Sequence, residues 1–194
     1  MEDKIDKKSD LAKREEEILE FWQENKIFEQ SLAQPAPRGK FIFYEGPPYA
    51  NGLPGIHHLE ARSFKDVILR YKTMRGFNVP RRAGWDTHGL PIEMAVEKKL
   101  GLTNKKEIEE KVGIDKFAAA AKENVFFYKA EWEKFTRRIG YWLDFEHAYI
   151  TMSTDYIESL WWIIKQISEK KVGGRDLLYQ DYKILPWCPR CSTA

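Results

Sequence analysis

Residues 41–93 hold the pattern that leaves this chain the fewest choices of fold. They open on an apolar run, Phe41-Ile42-Phe43-Tyr44, with the length and content of a buried strand. A breaker-dense turn follows, from Gly46-Pro47-Pro48 through Asn51-Gly52 to Pro54-Gly55. Helical spacing then takes over, with Ile56, Leu59, Phe64, Val67, Ile68, Tyr71 and Met74 close to one face. A second extended run, Phe77-Asn78-Val79, leads to a second loop, Gly84-Trp85-Asp86-Thr87-His88-Gly89-Leu90-Pro91. Strand, loop, helix, strand, loop, helix predicts an α/β fold. Its core is a parallel sheet of about three or four strands with helical crossovers, spanning residues 39–187. Ligands of such sheets bind at the carboxyl ends of the strands, where both loops fall.

Neither loop carries a nucleotide fingerprint: there is no G-x-G-x-x-G and no G-x-x-x-x-G-K-[ST]. The first loop instead delivers two adjacent imidazoles, His57 and His58, to a helix start. Backbone N–H groups and the helix dipole there favour an anion such as phosphate, and the histidines could donate to the same anion. Adjacent histidines at a helix start are equally what a solvent-exposed surface carries.

The flanks are helical. Residues 10–28 place Leu11, Ile18, Leu19, Trp22 and Phe28 on one stripe behind a Ser9 or Asp10 cap, after a charged start expected to fray. Residues 34–39 read as a linker. Beyond Pro91 a helix runs to about Leu100 and stops at Gly101, and Thr103 opens a short polar helix. Residues 114–139 form a long helix with Phe117, Val125, Tyr128, Trp132, Phe135 and Ile139 on one face. After an aromatic loop at 141–145, Ser153 starts a helix with Leu160, Trp161, Ile164 and Ile167 inward. Gly173 and Gly174 read as a flexible joint ahead of an extended segment at 182–185.

Charge excludes little but redirects attention. The 194 residues hold 32 Lys+Arg and 30 Asp+Glu, so no basic stripe advertises a nucleic-acid surface. There is no signal-peptide h-region and no run of about 18 apolar residues, so no membrane span is expected. The two cysteines share one C-x-x-C word, Cys188-Pro189-Arg190-Cys191, which fits a reducing, cytoplasmic setting better than a disulfide framework. That word is also half of a zinc knuckle, and a tetrahedral structural site needs four ligands.

Three words carry a resemblance: Tyr44-Glu45-Gly46-Pro47-Pro48, Asn51-Gly52-Leu53-Pro54 and Gly84-Trp85-Asp86-Thr87-His88-Gly89-Leu90-Pro91. Together they resemble the isoleucyl-tRNA synthetases of class I, over residues 11–191. The resemblance implies the first half of a Rossmann-like catalytic domain at 39–185. A helical extension and linker would occupy 1–38, and the start of a zinc-knuckle segment 186–194. It implies ATP, brought with magnesium, and isoleucine as substrates, forming isoleucyl-adenylate for transfer to tRNA(Ile). Gly46 and Pro47 would line the isoleucine pocket and Asp86 would take the substrate ammonium. His57 and His58 would serve the ATP phosphates as the catalytic pair, with Gly55 beside them. Cys188 and Cys191 would hold zinc only if a second ligand pair were supplied.

One departure lies at the centre of the resemblance. The class signature reads His-x-Gly-His after the proline, whereas Pro54 is followed by Gly55-Ile56-His57-His58, with the first histidine and the glycine exchanged. The Lys-Met-Ser-Lys-Ser loop, the second Rossmann half, the editing domain and the anticodon-binding helices have no counterpart here. The resemblance therefore predicts a fragment, weakly active or inactive alone, which a complementary chain could complete. The alternative is a non-catalytic nucleotide- or partner-binding module that keeps the synthetase fold.

Overall fold

A computed structural model describes residues 8–194; the stretch expected to fray lies outside the described residues as far as residue 7. Helix α1, Asp10–Glu24, starts where Ser9 Oγ accepts the Ala12 N–H at 3.2 Å. The expected single helix to residue 28 is instead broken by Lys26, whose φ of 49° is left-handed, and α2 resumes over Ile27–Ala33. Leu19, Trp22 and Phe28 are half-buried, whereas Leu11 and Ile18 are exposed, so the expected stripe is covered only in part.

Parallel pairing forms the sheet. Strand β1, Arg82–Trp85, pairs with β2, Asp144–Ile150. Asp144 N–H donates to Arg81 O at 2.7 Å and Thr151 N–H to Trp85 O at 3.1 Å. The predicted first strand is reduced to two parallel bridges, Lys40 to Asn78 and Tyr49 to Asp86. Between them Ile42 and Tyr44 are exposed while Glu45 is buried, a half-covered edge rather than a strand buried on both faces. Helix α3, Ile56–Met74, follows that segment. Helices α4, Leu90–Leu100, and α5, Ile114–Arg138, make the crossover from β1 to β2. Gly101 closes α4 at a φ of 70°, as expected. Thr103 is held by Glu107, at 2.9 and 3.0 Å, and a π turn follows at Ile108–Val112. Phe117, Val125 and Trp132 of α5 are buried as their spacing predicts.

Two expected faces point the other way. In α3 the apolar residues Ile56, Phe64, Val67 and Met74 are exposed; Arg62 and Leu69 are buried. The inward face is polar because it has partners: Lys65 pairs with Glu45 at 2.5 Å, and Asp66 pairs with Arg70 and Arg81. Helix α6, Thr154–Ser168, is capped by Ser153 as predicted, yet Leu160, Trp161 and Ile167 stand exposed because no described element covers that face. The expected flexible joint is a tight hairpin. Strands β3, Lys171–Val172, and β4, Arg175–Asp176, pair antiparallel across Gly173 and Gly174, both at positive φ. The segment 182–185 is exposed and forms no strand. No helix among the described residues is long and apolar enough to cross a membrane.

The chain divides into two compact units. One takes the chain up to Glu45 with Leu53–Ala83 and Ala130–His147; the other takes Gly46–Gly52, Gly84–Lys129 and Ala148–Ala194. In the first, the Arg70 guanidinium lies 3.7 Å from the Trp142 ring centroid and 4.8 Å from that of Trp22, and bonds the Gly140 carbonyl. Glu45 accepts from Tyr141 Oη at 2.6 Å as well as from Lys65. In the second, Gly84 is required by close approach: a Cβ there would lie 2.2 Å from Tyr149 Cζ.

Replacing Glu45 by leucine strands the buried Tyr141 hydroxyl and the Lys65 ammonium. The expected cost is about 2–4 kcal/mol of unfolding free energy, discounted because Lys65 is about a third exposed. Glu45→Gln still accepts from Tyr141 and should cost about half of that. Urea unfolding measures both, and two losses below about 0.5 kcal/mol would deny Glu45 its structural weight.

Candidate active site

Gly55 is the N-cap of α3 and offers no side chain, so the cap is made in reverse. Its own N–H donates to His58 Nδ1 at 2.9 Å, while its carbonyl accepts from His58 N–H at 3.0 Å. A His58 ring that accepts at Nδ1 carries its neutral-form proton on Nε2, and that N–H is left for another partner. The two imidazoles lie against each other with centroids 3.8 Å apart. A Cβ on Gly55 would sit 3.0 Å from His57 Cε1 and 3.2 Å from its Nδ1. Gly55 adopts an extended φ of −105°, so glycine is not called for by the backbone, and a side chain there would make the His57 ring give way by a few tenths of an ångström.

Behind His58 stands a wall that local sequence pattern did not single out. The buried Trp132 indole of α5 meets the His58 ring edge-on at 4.6 Å. The Arg62 guanidinium, one helical turn beyond His58, lies 5.0 Å from the Trp132 centroid and 5.5 Å from that of Tyr141. Arg62 is 4% exposed. Burial, then the neighbouring His57 and Arg62, push the His58 pKa below its ordinary 6.5. Helical spacing announces Trp132 as a core residue of α5, but nothing local announces its contact with His58, more than seventy residues away.

The other predicted loop is assembled in the second unit. Asp86 N–H donates to Pro48 O at 3.2 Å and Ala50 N–H donates to Asp86 O at 3.4 Å. The predicted Asp86 is thereby fixed beside the Gly46-Pro47-Pro48 segment by backbone bonds. Its Oδ1 accepts from His88 N–H at 3.4 Å, closing the turn, and the side chain is half-buried. A Cβ on Gly46 would meet nothing within 4 Å. Thr87 and Thr151 share a hydrogen bond at 2.9 Å; Thr151 Oγ1 also accepts from Thr87 N–H and meets His88 Nδ1, each at 2.9 Å. Thr151 thus pins the turn that carries Asp86, a role no motif in the sequence marks.

Cys188 and Cys191 sit in a tight turn closed by the Cys188 N–H bond to Thr193 O at 2.9 Å. Among the described residues no group of three or more His, Cys, Asp or Glu could hold a metal ion. The two thiols alone therefore do not fit a tetrahedral structural zinc site.

The His58 environment makes a pH prediction. A folded-state pKa held below 6.5 means that stability from this group is present above pH 6.5 and is lost as pH falls through the lower folded value. In ¹⁵N NMR, His58 should titrate below 6.5 with Nε2 protonated in the neutral form. Arg62→Gln should raise the midpoint toward the ordinary value. A midpoint at or above 6.5 in the unaltered chain would contradict this geometry.

Comparison with known proteins extends these observations. Residues 17–194 match the family of class I tRNA synthetases (I, L, M and V). The chain is 55% identical over 183 residues to the isoleucine–tRNA ligase of Thermus thermophilus, covering 94% of this chain and 17% of that protein. It is 49% identical over 190 residues to the isoleucine–tRNA ligase of Dehalococcoides mccartyi strain 195, covering 98% of this chain and 18% of that one. The chain therefore spans about a sixth of the length of these curated relatives. Among solved structures, the Agrobacterium radiobacter K84 agnB2 LeuRS, in a ternary complex with tRNA and LeuAMS, superposes with a TM-score of 0.62. That match covers 82% of this chain and 18% of that one, and at 22% identity it speaks for the fold alone. With the family model matched over all but its first 16 residues, the chain belongs to the class I tRNA synthetases of the I, L, M and V group.

Proposed function

We propose that this chain is the amino-acid-activating portion of an isoleucine–tRNA ligase. In this reading the isoleucine carboxylate attacks the α-phosphorus of ATP, pyrophosphate leaves, and the resulting isoleucyl-adenylate is the donor for tRNA(Ile). The observation that carries it is the 55% identity to a protein named isoleucine–tRNA ligase. The built loops support it. His58 keeps its Nε2–H available at the start of a 19-residue helix, which suits hydrogen bonding to a phosphate oxygen. His57 stands beside it as the second donor, and Gly55 makes the room both rings need. Asp86, fixed against the Pro48 backbone, supplies a carboxylate for the isoleucine ammonium, and Gly46 and Pro47 form the wall for its side chain. Magnesium would travel with the ATP phosphates, whose charge it neutralises. Catalysis then rests on positioning and electrostatics.

Residues 1–38 are read as a helical extension and linker, 39–185 as the first half of the catalytic domain, and 186–194 as the start of a knuckle segment. The setting is cytoplasmic, and a chain bearing the second half of the domain is the expected partner.

Isoleucine-dependent ATP–pyrophosphate exchange tests the reading. Exchange above background that needs isoleucine supports activation; none, with ATP still bound, favours the non-catalytic binding module. Asp86→Asn removes a charge-assisted bond worth about 1.5–3 kcal/mol, so isoleucine affinity should fall roughly 10–150-fold by calorimetry while ATP affinity changes little. Equal losses for both ligands would remove Asp86 from the ammonium site.

The exchanged signature makes a separate prediction. Gly55 and His57 compete for one volume, so Gly55→His should impair exchange strongly and the added His57→Gly should restore part of it. Effects of the two substitutions that merely add would show that the positions are independent.

A further inference from the structure

The threonine that pins the Asp86 turn does so through a closed set of protons. Thr151 directly follows β2, and its N–H donates to Trp85 O at 3.1 Å, so the parallel sheet places it opposite the end of β1. Its Oγ1 has three neighbours at 2.9 Å: Thr87 N–H, Thr87 Oγ1 and His88 Nδ1. Thr87 Oγ1 in turn accepts from Met152 N–H at 3.0 Å. Thr87 is 6% exposed, whereas the His88 side chain is open to solvent. All of these residues belong to the second unit.

A hydroxyl has one proton to give and two lone pairs to receive. Thr87 Oγ1 already receives Met152 N–H, and Thr151 Oγ1 already receives Thr87 N–H. Two hydroxyl protons remain for two contacts, one between the threonines and one from Thr151 to His88. Only one order uses both: Thr87 donates to Thr151, and Thr151 donates to His88 Nδ1. A proton on His88 Nδ1 would instead fill the second lone pair of Thr151 and turn the Thr151 proton back to Thr87. The proton of the buried Thr87 hydroxyl would then have no acceptor in the set, which is costly at that depth. A neutral imidazole that accepts at Nδ1 carries its proton on Nε2. We propose that Thr151 is a positioning residue that fixes His88 as an Nε2–H donor beside Asp86, and that this N–H takes the carboxylate of the bound amino acid.

The ligand chemistry follows from the pair. His88 N–H donates to Asp86 Oδ1 at 3.4 Å, so the imidazole and the carboxylate stand on one short turn. An α-amino acid carries its ammonium and its carboxylate on a single carbon. Recognising both ends takes an acceptor and a donor within one small space. This step rests on the assignment of Asp86 to the isoleucine ammonium. Thr151 acts only through its neighbours, because its proton and both lone pairs are already used.

The test uses the full chain with ¹⁵N-labelled histidine. The chain has four histidines, and His88→Leu identifies the signals that belong to His88. At about pH 8, where an ordinary imidazole is neutral, His88 should be a single tautomer with Nδ1 bare and Nε2 protonated. Thr151→Val removes the donor, so the two ring-nitrogen shifts should move toward each other as the tautomers interchange. Thr151→Ser keeps the hydroxyl and should keep the unaltered shifts. Calorimetry adds a readout that a merely structural role would not move. His88→Leu should weaken isoleucine binding roughly tenfold, and should weaken isoleucinol, which has the ammonium but no carboxylate, less than about twofold. The proposal is overturned if His88 of the unaltered chain is protonated on Nδ1, a result that stands whether or not Thr151→Val folds. It is overturned equally if Thr151→Val and Thr151→Ser move the His88 shifts alike, or if His88→Leu weakens both ligands to the same degree. An unaltered chain that binds neither ligand defeats the isoleucine reading and the carboxylate role with it, whereas the ring-nitrogen shifts still decide the role of Thr151.

Discussion

A single buried carboxylate holds the first unit together. Glu45 is 7% exposed and receives Lys65 from α3 and Tyr141 from the segment after α5. A charge at that depth is costly unless every neighbour answers it, so its surroundings must be polar and ordered. Burial and the Glu45 charge both raise the Tyr141 phenol, which stays protonated and donates. Arg62 is buried four residues past His58 and against the same Tyr141 ring. The orientation of α3 follows: it turns Lys65, Asp66 and Arg62 inward because the carboxylate and the aromatic rings wait there, and of its apolar residues Leu69 is buried while Ile56, Phe64, Val67 and Met74 face out.

That inversion shows how far the sequence could be read. The order of elements was legible because strand, breaker and helix signals are local: Pro54-Gly55 before α3, Gly101 after α4 and Ser153 before α6 each act within a few residues. The buried face of α3 was not legible, because periodicity ranks apolar residues inward and cannot see Glu45 or Asp66 meeting partners from elsewhere. Strand β2 was missed for a related reason. Residues 141–145 read as an aromatic loop, while the pairing that makes 144–150 a strand comes from Arg81 and Trp85. The Gly173-Gly174 pair was read for its freedom, yet two positive φ values in succession are what a two-residue hairpin turn requires.

The candidate site divides the same way. His57, His58, Gly46, Pro47 and Asp86 stand in loops whose breaker content marks them, so their positions could be read directly. The residues that hold those loops still could not. Thr151 reaches the turn after Asp86 across sixty-four positions, and Trp132 reaches His58 across seventy-four. Neither has a special neighbour in sequence, and each is an ordinary threonine or core aromatic until the chain has folded. Chemistry-bearing groups are announced by local pattern; the groups that orient them are set by tertiary contact alone.

The exchanged signature is physically self-consistent in this light. Two imidazoles with centroids 3.8 Å apart fill the space above the first turn of α3, and that space begins at the Gly55 α-carbon. Were Gly55 to bear an imidazole while His57 kept its own, three rings would contend for a volume that a lone Cβ already tightens to 3.0 Å. Were both positions glycine, His58 would lose its neighbour and keep only the Gly55 N–H and the Trp132 edge. Glycine at one position and histidine at the other therefore share one volume, and a side chain at position 55 displaces the His57 ring by a few tenths of an ångström. What stays fixed in either order is His58, because its tautomer is set by a backbone N–H at the helix start, which any residue at position 55 except proline supplies.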